Sequence, residues 1–385
     1  MYVLLRKLIT FITSSTIIVL LSLPQAQATV RVQDEIRRQP VDLVIALDVS
    51  SSMSGLIESA KQRLWDIVNE MARAQPQPDL RLAIVTYGNP SYGEQGGYVR
   101  IDLPFTNDLD AVMQMLFRFG TNGGDEYVAR AVHTSVNELA WSDQADAMKI
   151  IFVAGNEEAN QDPMISVQEA TRLAANSGIV VNTLYCGSED DQIVAGWRDY
   201  ATLTNGLFAS IDQNRATVAN IATPMDEKLA ELNRALNDTY VAYGEEGGRY
   251  KSNQIDQDQN AAEMSLPSVA SRTVAKAGGL YRNEKWDLVD ALESGAPIEE
   301  MEAEALPEEM QPLSPDERKK YVAELAAKRE QVRDEIEKLG RSRQAYIAGE
   351  RAKLAASDEA GLDEAILEGL RNLARKKGFE FDESL

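Results

Sequence analysis

Residues 41–55 read VDLVIALDVSSSMSG. Apart from Asp42 the first half is an unbroken apolar run, with no alternation between a wet and a dry face. That pattern predicts a strand covered on both sides, as in a parallel sheet wrapped by helices. In such sheets the side chains that meet a ligand sit at the carboxyl ends of strands, near the point where strand order reverses. Asp48 falls at that end. With Ser50 and Ser52 it forms DxSxS, whose alternate spacing brings three oxygen-bearing side chains to one side of a tight loop. A hard dication such as Mg²⁺ takes near-octahedral oxygen coordination and keeps several waters, so one carboxylate and two hydroxyls make a fitting partial shell. The same letters also suit a serine-rich helix N-cap with an incidental aspartate.

The chain continues as alternating short apolar runs and amphipathic stretches. Leu56, Ala60, Leu64, Ile67 and Met71 recur at helical spacing until Pro76. Leu80–Thr86 predicts the second strand, with Tyr98–Leu103 as its hairpin partner across a Gly- and Tyr-rich loop. Helices are expected over Asp108–Phe119 and Glu126–Trp141, separated by GTNGGD. Met148–Ala154, Ile179–Tyr185 and Leu207–Ile211 supply further strands, with helices ending near Ala175 and around Trp197. Thr223-Pro224-Met225-Asp226 starts a closing helix through Leu229, Leu232 and Leu236. The expected fold class is α/β: a doubly wound, mostly parallel six-stranded sheet with one antiparallel edge strand and a helical C-terminal extension.

Past Gly244 the texture changes. Residues 244–314 are polar, acidic or proline-containing and predict a linker or extension, carrying one short docking helix at Trp286–Leu292. Residues 315–385 predict a charged helical region. Val322, Leu325, Val332, Ile336 and Leu339 suggest a coiled-coil seam that Arg329 and Arg343 interrupt, so a short helical hairpin is expected, followed by a helix through Leu362, Ile366, Leu370 and Leu373.

Arg6 and Lys7, the apolar stretch to Leu23 and the small-residue pattern Ala26-Gln27-Ala28 predict a secretory signal peptide over residues 1–28, hence a periplasmic or secreted protein with no stable membrane span after cleavage. An uncleaved anchor is the alternative, disfavoured because Thr and Ser dilute the apolar run. The chain has one cysteine, Cys186, so an internal disulfide is excluded. Cys186 ends an apolar strand and reads as packing, and His133 on an apolar helix face reads the same way. A net charge of −22 disfavours nucleic acid and acidic lipid as partners.

From about Val41 to Ala242 the sequence resembles a von Willebrand factor type A (VWA) domain, whose metal-ion-dependent adhesion site opens with DxSxS after the first strand. The expected domain spans residues 40–243. The resemblance implies a divalent cation, Mg²⁺ or else Mn²⁺ or Ca²⁺, held by three loops with one position open to an acidic residue of a partner protein. The family's second loop usually gives a threonine. Thr121 matches it, and Asp125 stands where related bacterial sequences with a GGD pattern carry an acid, so the implied metal set is Asp48, Ser50 and Ser52 with Thr121 or Asp125 from the second loop. The third loop departs from the family: IIFVAGNEEAN puts Gly155 or Asn156 where an aspartate belongs, so weak binding at a degenerate site is expected.

The resemblance therefore implies an exported protein-binding module that engages a partner's exposed carboxylate through the cation. A metal-independent scaffold that presents the C-terminal helices for assembly is the alternative. Tyr87, Tyr92 and Tyr98 suggest an aromatic rim for a partner. An enzyme is not expected. The lone His and Cys exclude a repeated His or Cys zinc site, there is no GxSxG elbow, and GTNGGD lacks the lysine of a phosphate-binding loop.

Overall fold

The computed structural model describes residues 38–210, 221–298, 301–354 and 361–381. The expected signal peptide lies outside the described residues. Strand β1 (Gln39–Asp48) leads into helix α1 (Ser54–Ala72), followed by β2 (Ala74–Gln75), β3 (Pro78–Tyr87), β4 (Val99–Thr106), α2 (Leu109–Arg118) and α3 (Val128–Glu138). Then come β5 (Met148–Gly155), α4 (Val167–Asn176), β6 (Val180–Tyr185), α5 (Val194–Thr204) and β7 (Phe208–Ser210). The C-terminal part holds α6 (Asp226–Asn237), α7 (Gly247–Met264), α8 (Leu266–Ala277), α9 (Leu288–Glu293), α10 (Pro315–Leu354), α11 (Gly361–Lys376) and β8 (Glu380–Phe381).

The main sheet has six strands in the order β4-β3-β1-β5-β6-β7. Only β4 runs antiparallel, against β3, as its hairpin connection requires. Every residue of β1 is buried, because parallel neighbours flank it on both edges and helices cover both faces. Leu43, Ile45 and Leu47 face one core with Leu64, Val68, Leu229 and Leu236. Val44 and Ala46 face the other with Val128, Val132, Val153 and Trp197. Strand order reverses at β1, so its carboxyl end, with Asp48 as the last residue, opens into the crevice of the switch point.

Two expectations for the C-terminal part are corrected. Most of residues 244–277 are not linker: they form α7 and α8. Hydrophobic periodicity is absent from α7 because it buries polar groups. Gln254 and Gln257 are 0% and 2% exposed, and Gln254 Nε2 donates to the Tyr281 hydroxyl at 3.0 Å. Likewise α10 is one continuous 40-residue helix rather than a hairpin. Its seam does not break at the arginines. Val322, Leu325, Arg329, Val332, Ile336, Leu339 and Arg343 keep alternating three-four spacing, and both arginines are buried on carboxylates. Arg329 Nη1 lies 2.5 Å from Asp287 Oδ2 and 2.6 Å from Asp290 Oδ1.

A third buried arginine, Arg272 of α8, reaches back to the sheet domain, 2.7 Å from Asp110 Oδ1 on α2 and 2.5 Å from Asp258 Oδ1 on α7. Arg371 of α11 pairs with buried Glu70 of α1 at 2.7 Å. The chain from Arg38 onward is thus one compact unit. Its last strand, β8, pairs antiparallel with β2, a contact too short to leave a sequence signal. Among the described residues no helix is long and apolar enough to cross a membrane.

Candidate metal centre

Asp48 is held by the end of β1 with its side chain fully buried. Its Oδ1 accepts the Ser50 backbone N–H at 2.7 Å, a bond that bends the chain over the strand end. Ser50, 2% exposed, lies with its hydroxyl 3.2 Å from that of Ser52. DxSxS is therefore gathered on one loop. The short turn Ser51–Met53 that follows has no side-chain cap bond from Ser50, so the reading of this serine as a helix cap is not what the structure displays.

The loop between α2 and α3 comes to the same place. Asn122 donates its backbone N–H to Val49 at 3.0 Å. A Cβ on Gly124 would lie 2.8 Å from the Gly88 carbonyl and 2.7 Å from Pro90, so only glycine allows this close approach. Thr121 is half-buried on this loop. Asp125 is exposed and interacts with the Tyr98 phenol rather than with Asp48, a correction to its expected place in the metal set. The next residue, Glu126, turns inward instead. It is 6% exposed and its carboxylate lies against Asp48 and Ser50. Its spacing continues the buried Ala129, Val132 and Val136 face of α3, the one signal that marks it in the sequence.

The third loop follows β5. Gly155 has no room for the acid of the family pattern, since a Cβ there would run into the Tyr87 hydroxyl, with the Trp197 ring at 3.1 Å and Asp48 Oδ2 at 3.2 Å. Asn156 instead turns to Ser52, with Nδ2 at 3.1 Å from the Ser52 hydroxyl. Tyr87, expected in an aromatic rim, is fully buried below the site and donates to the Ala154 carbonyl at 2.8 Å. Tyr92 packs under Arg100, whose guanidinium lies 4.1 Å from the ring centroid. Tyr98 pairs edge-to-face with Tyr127 at 5.4 Å. Burial first, and then the carboxylates of Glu94 and Asp125 among others, push both phenols up.

The electrostatics of the centre follow from two carboxylates sharing a dry pocket. Asp48 is raised from its ordinary value chiefly by burial. Glu126 is pushed up to about 9, by burial first and then by Asp48. Asp48 Oδ2 and Glu126 Oε2 are buried without a hydrogen-bond partner. Neither carboxylate is in an ion pair among the described residues. Two acids placed this way need a shared proton or a cation between them. Their orphaned oxygens, with the Ser50 and Ser52 hydroxyls, form an all-oxygen donor set that fits a hard dication. A cluster of three or more His, Cys, Asp or Glu able to hold a metal does not occur among the described residues, so any cation here depends on the hydroxyls.

Residues 42–195 match the von Willebrand factor type A domain family, whose domains mediate protein–protein interaction. A solved structure of proximal thread matrix protein 1 from the mussel byssus is similar over 46% of this chain and 43% of that one, at 12% identity and a TM-score of 0.37. Another structure of that mussel protein has a zinc-occupied metal-ion-dependent adhesion motif, at the same identity and score. The SpRpn10 VWA domain is similar over 44% of this chain and 87% of that one, at 13% identity and a TM-score of 0.33. The chain thus spans less than half the length of the mussel protein. No curated protein sequence matches it.

Proposed function

We propose that this is an exported protein-binding module in which Asp48, Ser50, Ser52 and Glu126, with Thr121 from the same loop as Glu126, hold a divalent cation that engages an acidic group of a partner. The observation that carries the reading is the pair of orphaned, buried carboxylate oxygens on Asp48 and Glu126, which are in no ion pair among the described residues. Export rests on the pattern of residues 1–28.

The chain's own residues divide the work. Asp48 and Glu126 supply the charge. Ser50 and Ser52 supply neutral oxygens and set the loop, and Asn156 fixes the Ser52 hydroxyl from the third loop. Because the third loop puts the Asn156 amide on Ser52 and leaves Glu157 and Glu158 exposed, a bound dication keeps more of its positive charge towards the open side. When bound, the cation supplies a Lewis-acidic position for a partner's carboxylate. The test is capture of partners from an envelope extract on the immobilised protein, with and without chelator, comparing wild type with Ser50→Ala/Ser52→Ala. Partners lost in both the chelator and the double variant support the reading; partners retained in both refute it.

One observation favours the scaffold alternative. The buried arginines Arg272, Arg329 and Arg343, with half-buried Arg371, lock the C-terminal helices onto the sheet domain and leave α10 as a long charged arm. Retained partner capture in chelator, together with loss on altering the exposed face of α10, would select it.

A further inference from the structure

Among the described residues, five loops at the metal end, 49–53, 88–98, 119–127, 156–166 and 186–193, contain no lysine or arginine, although the chain has 39 such residues. They carry exposed Glu94, Asp125, Glu157, Glu158, Glu189 and Asp190. Among the described residues Glu94, Asp125, Glu157 and Glu158 are in no ion pair. The basic side chains that reach these loops from outside are already engaged: Arg130 holds buried Asp162 at 2.8 Å, Arg100 over Tyr92 pairs with Asp102 at 2.5 Å, and Arg198 lies 3.5 Å from Glu189. One dication cannot neutralise this rim. A partner that brought only acidic groups would meet net repulsion at every point but the cation.

The rim also has a feature that acids alone lack. Tyr98 takes a left-handed backbone (φ 57°), an uncommon conformation for a bulky residue, and its ring pairs with Tyr127. The charges of Glu94 and Asp125 act on both rings. Aromatic faces flanked by unpaired carboxylates suit a guanidinium or ammonium group. Below them, the orphaned oxygens of Asp48 and Glu126 mark where the ligand end of the site lies.

Resting on the metal reading above, we propose that the partner is a basic protein segment bearing a single exposed carboxylate: its acid meets the cation at Asp48 and Glu126, and a flanking Arg or Lys seats at Tyr98 and Tyr127 between Glu94 and Asp125.

The test titrates the mature protein in Mg²⁺ with three short peptides: a Lys/Arg-rich peptide with one central Glu, its sibling with Gln in that place, and an acidic peptide with no basic residue. The Glu-containing basic peptide is expected to bind at least about tenfold more tightly than the acidic one and to weaken steeply with added NaCl. Glu94→Gln/Asp125→Asn is expected to lower its affinity roughly fivefold while Mg²⁺ affinity, measured without peptide, changes by less than about twofold. Equal or tighter binding of the acidic peptide, binding of none of the three, or indifference to the double variant overturns the proposal. Failure of the metal reading looks different: the Glu and Gln peptides then bind equally and chelator changes nothing, while the preference for basic over acidic peptides remains.

Discussion

Arg343, two-thirds of the way along α10, donates from Nε to Asp226 Oδ1 at 2.8 Å, and Asp226 is the first residue of α6. The far end of the same helix is held as well: Arg329 donates from Nη2 to the Thr239 carbonyl at 2.7 Å and from Nε to its hydroxyl at 3.0 Å. α6, the helix that closes the sheet domain, is therefore pinned at both ends by buried guanidinium groups of one rigid rod. Sliding it along the sheet would break the Arg343–Asp226 ion pair and the buried hydrogen bonds from Arg329 to Thr239. Backbone amide exchange across residues 226–237 is expected to be the same with and without Mg²⁺. Loosening of α6 on metal addition would contradict this.

The Arg329 pairs give a stability prediction. Asp287, raised by burial and held down by Arg329, loses its counter-charge in Arg329→Met while remaining buried. Breaking a buried pair from one side costs about 3–5 kcal/mol. Urea denaturation of the variant is expected to show a loss of that order, and a loss below about 1 kcal/mol would mean that the cluster contributes little.

These arginines also mark where sequence reading stopped. The strands of the sheet were legible because parallel strands covered on both faces must be continuously apolar, and Asp48 was legible because the run ends on it. Arg329 and Arg343 looked like interruptions of a seam, yet they occupy the seam's own positions and bury their charge against Asp287, Asp290 and Asp226. Periodicity of apolar residues cannot report a core made of ion pairs, and for the same reason α7, with its buried glutamines, read as linker. At the site, Asp125 drew attention because glycines precede it, but the loop turns it outward and delivers Glu126. The sequence left the third-loop position open between Gly155 and Asn156; that Gly155 has no space for an acid was visible only once Tyr87, Trp197 and Asp48 were packed around it.

That packing predicts the failure of an obvious repair. Gly155→Asp adds a third carboxylate beside two, in a position where even its Cβ would crowd Asp48 Oδ2. The variant is expected to lose roughly 2 kcal/mol or more of stability and to gain no Mg²⁺ affinity. A tighter, equally stable variant would show that the third loop can move aside.

Glu126, raised beside Asp48, contributes a pH dependence to the stability of the metal-free protein. Its folded value of about 9 exceeds its unfolded value of about 4.5, so between these limits the folded state binds more protons than the unfolded state. Its contribution to stability is complete below pH 4.5 and is lost as pH rises towards 9. In chelator, wild type is expected to lose stability over that window relative to Glu126→Gln, whose side chain does not titrate. Parallel profiles for the two proteins would show that Glu126 is not protonated in the pocket.

The central claim is that buried acids and hydroxyls from two loops grip one dication. Calorimetric titration of the mature protein with Mg²⁺, Mn²⁺ and Ca²⁺ near pH 8 tests it most directly. Saturable binding of one equivalent of at least one cation is expected, abolished by Asp48→Asn and weakened at least about tenfold by Glu126→Gln and by Ser50→Ala/Ser52→Ala. No heat with any of the three cations, or binding that survives Asp48→Asn and Glu126→Gln unchanged, would contradict it.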